Sequence, residues 1–431
     1  MMDKRPLNWC KCNLKEIFST ASGGTPSRKE ASYYNGQIPW LKSGELNDNI
    51  VKKAEEFITK EGLDNSSAKI FPKGSILLAL YGATVGKIGK LDFEAATNQA
   101  ICCIYPSKFF NMNLLFYYLL FQKKFLISQG KGGTQPNISQ DIVKNLELFL
   151  PPLEEQGRIV EKIEELFSDI DNGIKDLKTA QAQIKQYRQS VLKSAFDGKL
   201  YKTSEWKEVK LEDVCQINPK TEIKDMKDDD IVSFLPMTSV KAECNYYTEE
   251  NVLYSKVKKG YTKFKNGDVL FAKITPCMEN GKVCIVDNLI QDIGFGSTEF
   301  HILRCLNNII PKYVYYVVIQ QCFRKKAKKN MVGAVGQQRV PADFMKNFDI
   351  PLPSLPEQQQ IVAEIEKRFA VADEMENAVN DSLLQAEKLK QSILKQAFAG
   401  KLVLQNPNDE PASVLLGRIK AAKENITKGK K

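Results

Sequence analysis

Residues 190–200 read SVLKSAFDGKL and residues 392–402 read SILKQAFAGKL, one phrase spelled twice at an offset of 202 positions. The offset holds without a gap from Pro151 against Pro353 to Leu200 against Leu402. About 20 of those 50 positions are identical, which marks an internal duplication. Both copies also open alike, with LPPLEEQGRIVEKIEELF from Leu150 and LPSLPEQQQIVAEIEKRF from Leu352. Proline followed by Glu-Gln in the first turn is a helix-start pattern.

From those starts the apolar residues keep heptad spacing. Ile163, Ile170, Leu177, Ile184 and Val191 recur every seven, interleaved with Val160, Phe167 and Ile174. The second copy carries Val362, Ile365, Phe369, Val379, Leu383 and Ile393 on the matching stripe. A 4-3 alternation kept over about five heptads predicts a long coiled-coil helix. Gln181 and Arg188 interrupt the first seam, and Glu376 and Lys390 the second. Such polar positions set register or meet a third partner, or else mark imperfect packing near a helix surface. At about 1.5 Å per residue, roughly 40 residues span about 60 Å. One helix leads out of the first lobe and the other leads out of the second, so helices packed along their length run antiparallel. Gly198 and Gly400 stand where each helix is expected to end.

The blocks between the helices repeat more faintly. Trp9, Leu14 and Ile17 match Trp206, Leu211 and Val214, FPKGSILLA at 71–79 matches FKNGDVLFA at 264–272, and KNLELFLP at 144–151 matches KNFDIPLP at 346–353. Runs such as SILLALYG and DVLFAKIT read as strands, and NLLFYYLLFQKKFLI as a buried helix. The expectation is an α+β chain in which two similar mixed α/β lobes are separated by two long antiparallel coiled-coil helices related by a pseudo-two-fold. The segments are residues 1–150, 151–200, 201–350, 351–402 and 403–431. In the last, Val414, Leu415, Arg418, Ile419 and Ala422 keep helical spacing; a short amphipathic helix there closes the first lobe or docks a partner.

Composition is globular, with 43% hydrophobic and 26% charged residues. Nothing resembles a signal peptide or a membrane span, so a soluble, cytoplasmic chain is expected. Ten scattered cysteines read as reduced, mostly buried side chains, and one histidine with an isolated CxC argues against a zinc site. The net charge of +10 is unevenly placed: residues 1–150 carry +6 and residues 201–350 carry +4, while both helical blocks are slightly acidic. Phosphate contacts need Lys and Arg, so a nucleic acid would sit on the lobes. The run RKKAKKN at 324–330 grips a backbone, or is the solvated face of the helix that begins at PKYVYYVV.

Catalytic motifs are missing. HExxH and GxSxG do not occur, and YGATVGKIGK at 81–90 departs from a Walker loop in both glycine spacing and the residue after its lysine. It reads instead as a glycine-rich turn in which Lys87 approaches an anion and Thr84 offers a hydroxyl; Lys282 occupies the corresponding place in the second lobe. His301, in the strand-like run TEFHILRC, reads as a packed histidine. Side chains able to read base edges gather at the lobe turns: Lys42, Ser43 and Glu45; Asn98 and Gln99; Gln135 and Asn137. The second lobe offers Thr238 and Ser239; Ser297, Thr298 and Glu299; and Gln337, Gln338 and Arg339. Asn and Gln pair bidentately with adenine and Arg with guanine, although turn chemistry alone accounts for much of this composition.

The doubled LPxLxEQxxIV start and AFxGKL end, placed around a lobe of about 150 residues, resemble the specificity subunit of type I restriction-modification enzymes over essentially the whole chain. The resemblance implies two target-recognition domains alternating with two central helical regions, in a subunit with no catalysis of its own. It further implies that the helices recruit adenine-N6 methyltransferase subunits, two in number, and fix the spacer between two halves of a split double-stranded DNA target. S-adenosylmethionine and ATP with magnesium would belong to partner subunits, the latter to a restriction and translocation subunit. Ser354, where the first copy has Pro152, and the polar seam positions are the departures from the pattern. Two other readings remain open on the residues alone: a non-catalytic coiled-coil adaptor presenting two protein-binding lobes, and a stand-alone DNA modification enzyme, against which the missing motifs count.

Overall fold

The computed structural model describes residues 6–130, 137–202, 204–223, 225–334 and 336–428. Two compact units emerge, residues 1–176 with 382–431 and residues 177–381. Each contains one lobe and a stretch of both long helices.

In the first unit, Cys10–Asn13 pairs antiparallel with Glu147–Leu150, with Cys10 opposite Leu150, so the two ends of the lobe are tied together. Between them lies a five-stranded sheet in the order Thr20–Ser22, Ile101–Ile104, Ile76–Ala79, Ile88–Leu91, Asn49–Val51. A four-stranded sheet has the order Glu56–Ile58, Tyr34–Leu41, Ala95–Thr97, Ile70–Phe71. Ile76–Ala79 and Ile101–Ile104 are buried at every residue, which is why they read as continuous apolar runs without alternation. The helix Met112–Ser128 starts at Asn111, whose side chain accepts the Asn113 N–H at 2.9 Å, and it buries Leu114, Leu115 and Leu119.

The second unit repeats the plan. Lys207–Lys210 pairs with Asp349–Leu352, one sheet has the order Cys215–Ile217, Phe300–Cys305, Val269–Ala272, Val283–Ile285, and the other Glu250–Leu253, Ile231–Leu235, Ile293–Gly296, Thr262–Lys265. Each lobe includes one parallel pair of the same kind, Trp40 opposite Ala96 and Phe234 opposite Phe295. The expected helix through PKYVYYVV and RKKAKKN is in fact two. Pro311–Ile319 is buried from Tyr313 onward, Gln320 adopts ψ 140°, and Gln321–Lys329 starts afresh. Arg324 of the basic run is buried, donating to Glu279 O and Ile319 O and pairing with Glu243, whereas Lys325, Lys326, Lys328 and Lys329 are exposed.

The long helices are Leu153–Phe196 and Leu355–Phe398. In the first unit, Ile159, Val160 and Ile163 near the start of one share a core with Ile393, Leu394 and Ala397 near the end of the other. In the second unit, Val191, Leu192 and Ala195 share a core with Ile361, Val362 and Ile365. The segments therefore run antiparallel within each unit. Phe167, Ile170, Ile174, Leu177, Ile184, Phe369, Val379 and Leu383 are half-buried along the same stripe.

All four polar interruptions make ties across the helix pair. Gln181 Nε2 donates to Asn380 Oδ1 at 2.8 Å. Seven residues on, Arg188 pairs with Asp373 at 2.5 Å, seven residues back on the opposite helix, and with Glu376 at 2.9 Å. In the first unit Lys390 pairs with Asp171 at 2.5 Å and lies over the Phe167 ring. Such cross-helix ties fit the register-setting role, one of those the sequence left open.

Both helices end in one geometry. Gly198 (φ 70°) donates to Ala195 O and Lys199 to Ser194 O; Gly400 (φ 72°) donates to Ala397 O and Lys401 to Gln396 O. That pair of bonds around a left-handed residue is a Schellman cap, and it explains the doubled AFxGKL. Beyond it, Ala412–Lys428 buries Ala412, Leu415 and Ile419 in the first unit, Asp409 pairs with Arg158, and Lys423 donates to Lys15 O. The tail thus closes the first lobe.

Candidate nucleic-acid interface

The turn residues of the second lobe are drawn together by strand ends. Ser297 donates its N–H to Leu235 O at 3.2 Å, Lys273 to Glu299 O at 2.9 Å, and Ala272 to Lys282 O at 3.0 Å. Val340 donates to Lys273 O at 2.9 Å and Thr275 to Gln338 O at 3.0 Å. These bonds place Ser297, Thr298, Glu299, Gln338 and Arg339 along one edge. Thr238 and Ser239 lie just beyond Leu235, after Pro236 and Met237, and Lys282 Nζ donates to Met237 O at 2.8 Å. Thr238, Thr298 and Gln337 are exposed.

Arg339 is held firmly on this edge. Its Nε lies 3.0 Å and its Nη2 2.7 Å from the Glu299 carboxylate, and Nη1 donates to Gln337 O at 3.0 Å. The guanidinium in turn holds the Glu299 carboxyl below its usual range. Lys273, half-buried beside this pair, is pulled below the ordinary lysine value by burial.

His301 supports the edge from beneath. Val340 O accepts its Nε2–H at 2.8 Å, and Asn218 Nδ2 donates to its Nδ1 at 2.9 Å while Asn218 Oδ1 accepts the Ile302 N–H. These partners fit the neutral ring, and burial pushes its pKa down to about 4. It is a packed histidine, tied to the residue after Arg339.

The first lobe builds the edge from the counterparts of four of these five backbone bonds. Asn98 donates to Leu41 O at 2.9 Å, Leu80 to Ala100 O at 2.8 Å, Ala79 to Lys87 O at 2.9 Å, and Ile138 to Leu80 O at 2.8 Å. Position by position, Asn98 stands for Ser297, Leu80 for Lys273, Ala100 for Glu299, Lys87 for Lys282 and Asn137 for Arg339. One scaffold carries two different sets of side chains. Asn137 and Gln99 are exposed, Thr84 and Ser43 half-buried, and Gln135 lies outside the described residues. The Asn98 Oδ1 is buried without a partner among the described residues.

Several first-lobe candidates already have intramolecular partners. The Glu45 carboxylate accepts the N–H groups of Lys42 at 2.8 Å and Glu55 at 2.9 Å, which makes it a turn cap. Lys42 pairs with Glu56 at 2.7 Å and Arg28 pairs with it at 2.8 Å, the Arg28 guanidinium lying over the Tyr34 and Trp40 rings. Lys87 pairs with Asp48 at 3.2 Å, next to Lys123 at 2.7 Å. Burial alone would raise the Asp48 carboxyl; the two lysines and the Ile88 N–H outweigh it and hold it low. Arg28, Lys123 and Lys273 are charged neighbours that reading the turns one by one missed. The signal for Lys273 was present, because the FPKGSILLA/FKNGDVLFA match extended by one residue sets Leu80 against Lys273.

Residues 6–179 and 203–385 match the type I restriction modification DNA specificity domain, once per repeat. The chain belongs to that family. Among specificity subunits of type I restriction enzymes, that of EcoEI from Escherichia coli is 31% identical over 350 residues, covering 70% of this chain and 58% of its own. That of EcoAI from Escherichia coli is 34% identical, covering 52% of this chain and 45% of its own, so the chain spans about half the length of these two relatives. That of StySPI from Salmonella potsdam is 23% identical over 99% of this chain and 98% of its own. A chain from a solved structure concerned with complex assembly and conformational transition of the type I R-M system has a TM-score of 0.70 at 19% identity, covering 92% of this chain and 99% of its own. The HsdS subunit from Thermoanaerobacter tengcongensis has a TM-score of 0.51 at 20% identity, covering 92% and 98%. At these identities the structural likeness is one of fold. Among the described residues of this specificity-family chain, no group of side chains suits a metal ion and no helix is long and apolar enough to cross a membrane.

Proposed function

We propose that the chain is the non-catalytic DNA-recognition subunit of a type I restriction-modification complex, in which each lobe reads one half of a bipartite double-stranded target. One observation carries this reading: a similar turn-lined edge is built twice, from four shared backbone bonds, and carries Asn98, Ala100 and Asn137 in one lobe against Ser297, Glu299 and Arg339 in the other. A scaffold that repeats while its exposed polar side chains differ suits recognition of two different short sequences by base-edge contacts. The excess positive charge of both lobes supplies the non-specific phosphate attraction that such recognition needs.

The long helices fix the separation of the half-sites and recruit two adenine-N6 methyltransferase subunits. Apolar side chains left exposed on the second helix, Met375 at 53% and Leu389 at 52%, support a docking role. S-adenosylmethionine, and ATP with magnesium, are assigned to the methyltransferase and restriction subunits. Mapping N6-methyladenine across a genome with and without this chain tests the reading. Loss of one bipartite motif on deletion is the expected result. An unchanged methylome contradicts it and favours an adaptor that binds proteins only.

A further inference from the structure

The recognition edge of the second lobe carries a device that the first lobe lacks. Arg339 has five N–H donors, and three are engaged, by Glu299 through Nε and Nη2 and by Gln337 O through Nη1. One N–H remains on each terminal nitrogen, so two donors of the planar guanidinium are left for a ligand. Two further constraints fix them. The Arg339 backbone bridges both Val332 and Ile274, and Val340, the next residue, is held by Lys273 and His301. A preset pair of donors at this spacing matches two adjacent acceptors on one rigid edge, as the O6 and N7 of guanine provide. A phosphate could also receive a guanidinium fork. Here, however, the Arg339 charge is paired with Glu299, the flanking side chains of Ser297, Thr298, Gln337 and Gln338 are uncharged, and the one cation beside the pair, Lys273, is half-buried with its charged form disfavoured by that burial. That surrounding favours a base edge over a backbone phosphate.

The geometry points to Arg339 as the side chain by which the second lobe reads a guanine, with Glu299 as its positioning residue. The first lobe has Asn137 and Ala100 at these places, so the device belongs to one half-site only. The inference rests on the recognition role proposed above and adds the base and the residue.

The test is methylome mapping with the complete complex carrying wild-type chain, R339A, R339K or E299Q, together with melting of each variant. R339K keeps the charge and loses the fork. The wild-type motif is expected to contain a guanine in the half assigned to residues 201–350. R339A and R339K should both reduce discrimination at that one G·C pair by on the order of 10- to 100-fold, with the other half unchanged. E299Q should relax the same position to a smaller extent. A motif unchanged in R339A and R339K overturns the inference, as does relaxation at an A·T pair. So does a uniform loss at all sites by variants that melt like the wild type, which marks a phosphate contact. If the wild-type complex yields no bipartite motif at all, the recognition reading itself fails, a result distinct from any of these.

Discussion

Trp9 donates its indole N–H to the carboxylate of Glu155 at 3.0 Å, and Trp206 stands in the same relation to Glu357 at 3.4 Å. The glutamates are the E of the doubled LPxLxEQ, and the glutamines beside them act in parallel. Gln156 Oε1 accepts the Asn111 N–H at 2.8 Å and Gln358 Oε1 the Ile310 N–H at 3.0 Å, each tying a long helix to the lobe that precedes it. The sequence signature is therefore a pair of latches between lobe and helix.

Removing a latch leaves a buried indole N–H without an acceptor. E155A strands the buried Trp9 Nε1 and releases the amide of the exposed Gln405, and should lower the stability of the first unit by roughly 1–3 kcal/mol in chemical denaturation. Burial raises the Glu155 carboxyl pKa. The folded state thus binds its proton more tightly, and the contribution of this group is full below the ordinary value and lost as pH rises through the folded one. E155Q keeps an acceptor and removes the buried charge, so at neutral pH it should cost far less than E155A.

The two cap glycines should differ in sensitivity. Alanine at either must adopt a left-handed conformation, at about 1 kcal/mol. At Gly198 the added methyl meets the flexible Lys202 side chain, whereas at Gly400 it lies 2.4 Å from the Pro6 ring. G400A should therefore lower the melting temperature distinctly more than G198A.

Arg188 lies within an apolar stripe, between Ile184 and Val191, and joins Asp373 and Glu376 across the helix pair. R188A should destabilise the second unit by roughly 1 kcal/mol, because partly buried ion pairs contribute modestly. R188L refills the seam and should recover most of that loss, since apolar replacement of such pairs is often neutral or stabilising. Urea titrations of the two variants against wild type measure the difference.

His301 makes stability depend on pH. Its pKa is depressed from 6.5 to about 4, so the unfolded chain takes up a proton in this range and the folded chain does not. The stabilisation is present above pH 6.5 and is lost as pH falls toward 4, on the order of 3 kcal/mol in all. As the only histidine, it gives a single ring signal in an NMR titration. A midpoint near 4 is expected, and H301N should flatten the pH dependence between 6.5 and 4.

Long-range periodicity was the legible part of this chain. The helix pair, its direction and its glycine ends follow from the repeat at an offset of 202, because heptads and αL caps are local rules written in residue type. The candidate edge was legible only as a set of turns. Which side chains meet there depends on backbone bonds between residues far apart, such as Val340 to Lys273 and Lys273 to Glu299. Glu45 and Lys87 show the limit of composition: one caps a turn and the other joins an ion pair with Asp48. The break at Gln320 was equally hidden, since Pro311–Ile319 and Gln321–Lys329 both read as helix and only one backbone angle separates them.

The central claim is that each lobe independently specifies one half of a bipartite target. The most direct test replaces residues 201–350 with the corresponding lobe of another specificity subunit, within the complete complex, and maps N6-methyladenine by sequencing. The account predicts a new motif in which one half changes while the other half and the spacer are kept. A change in both halves, or none, contradicts it.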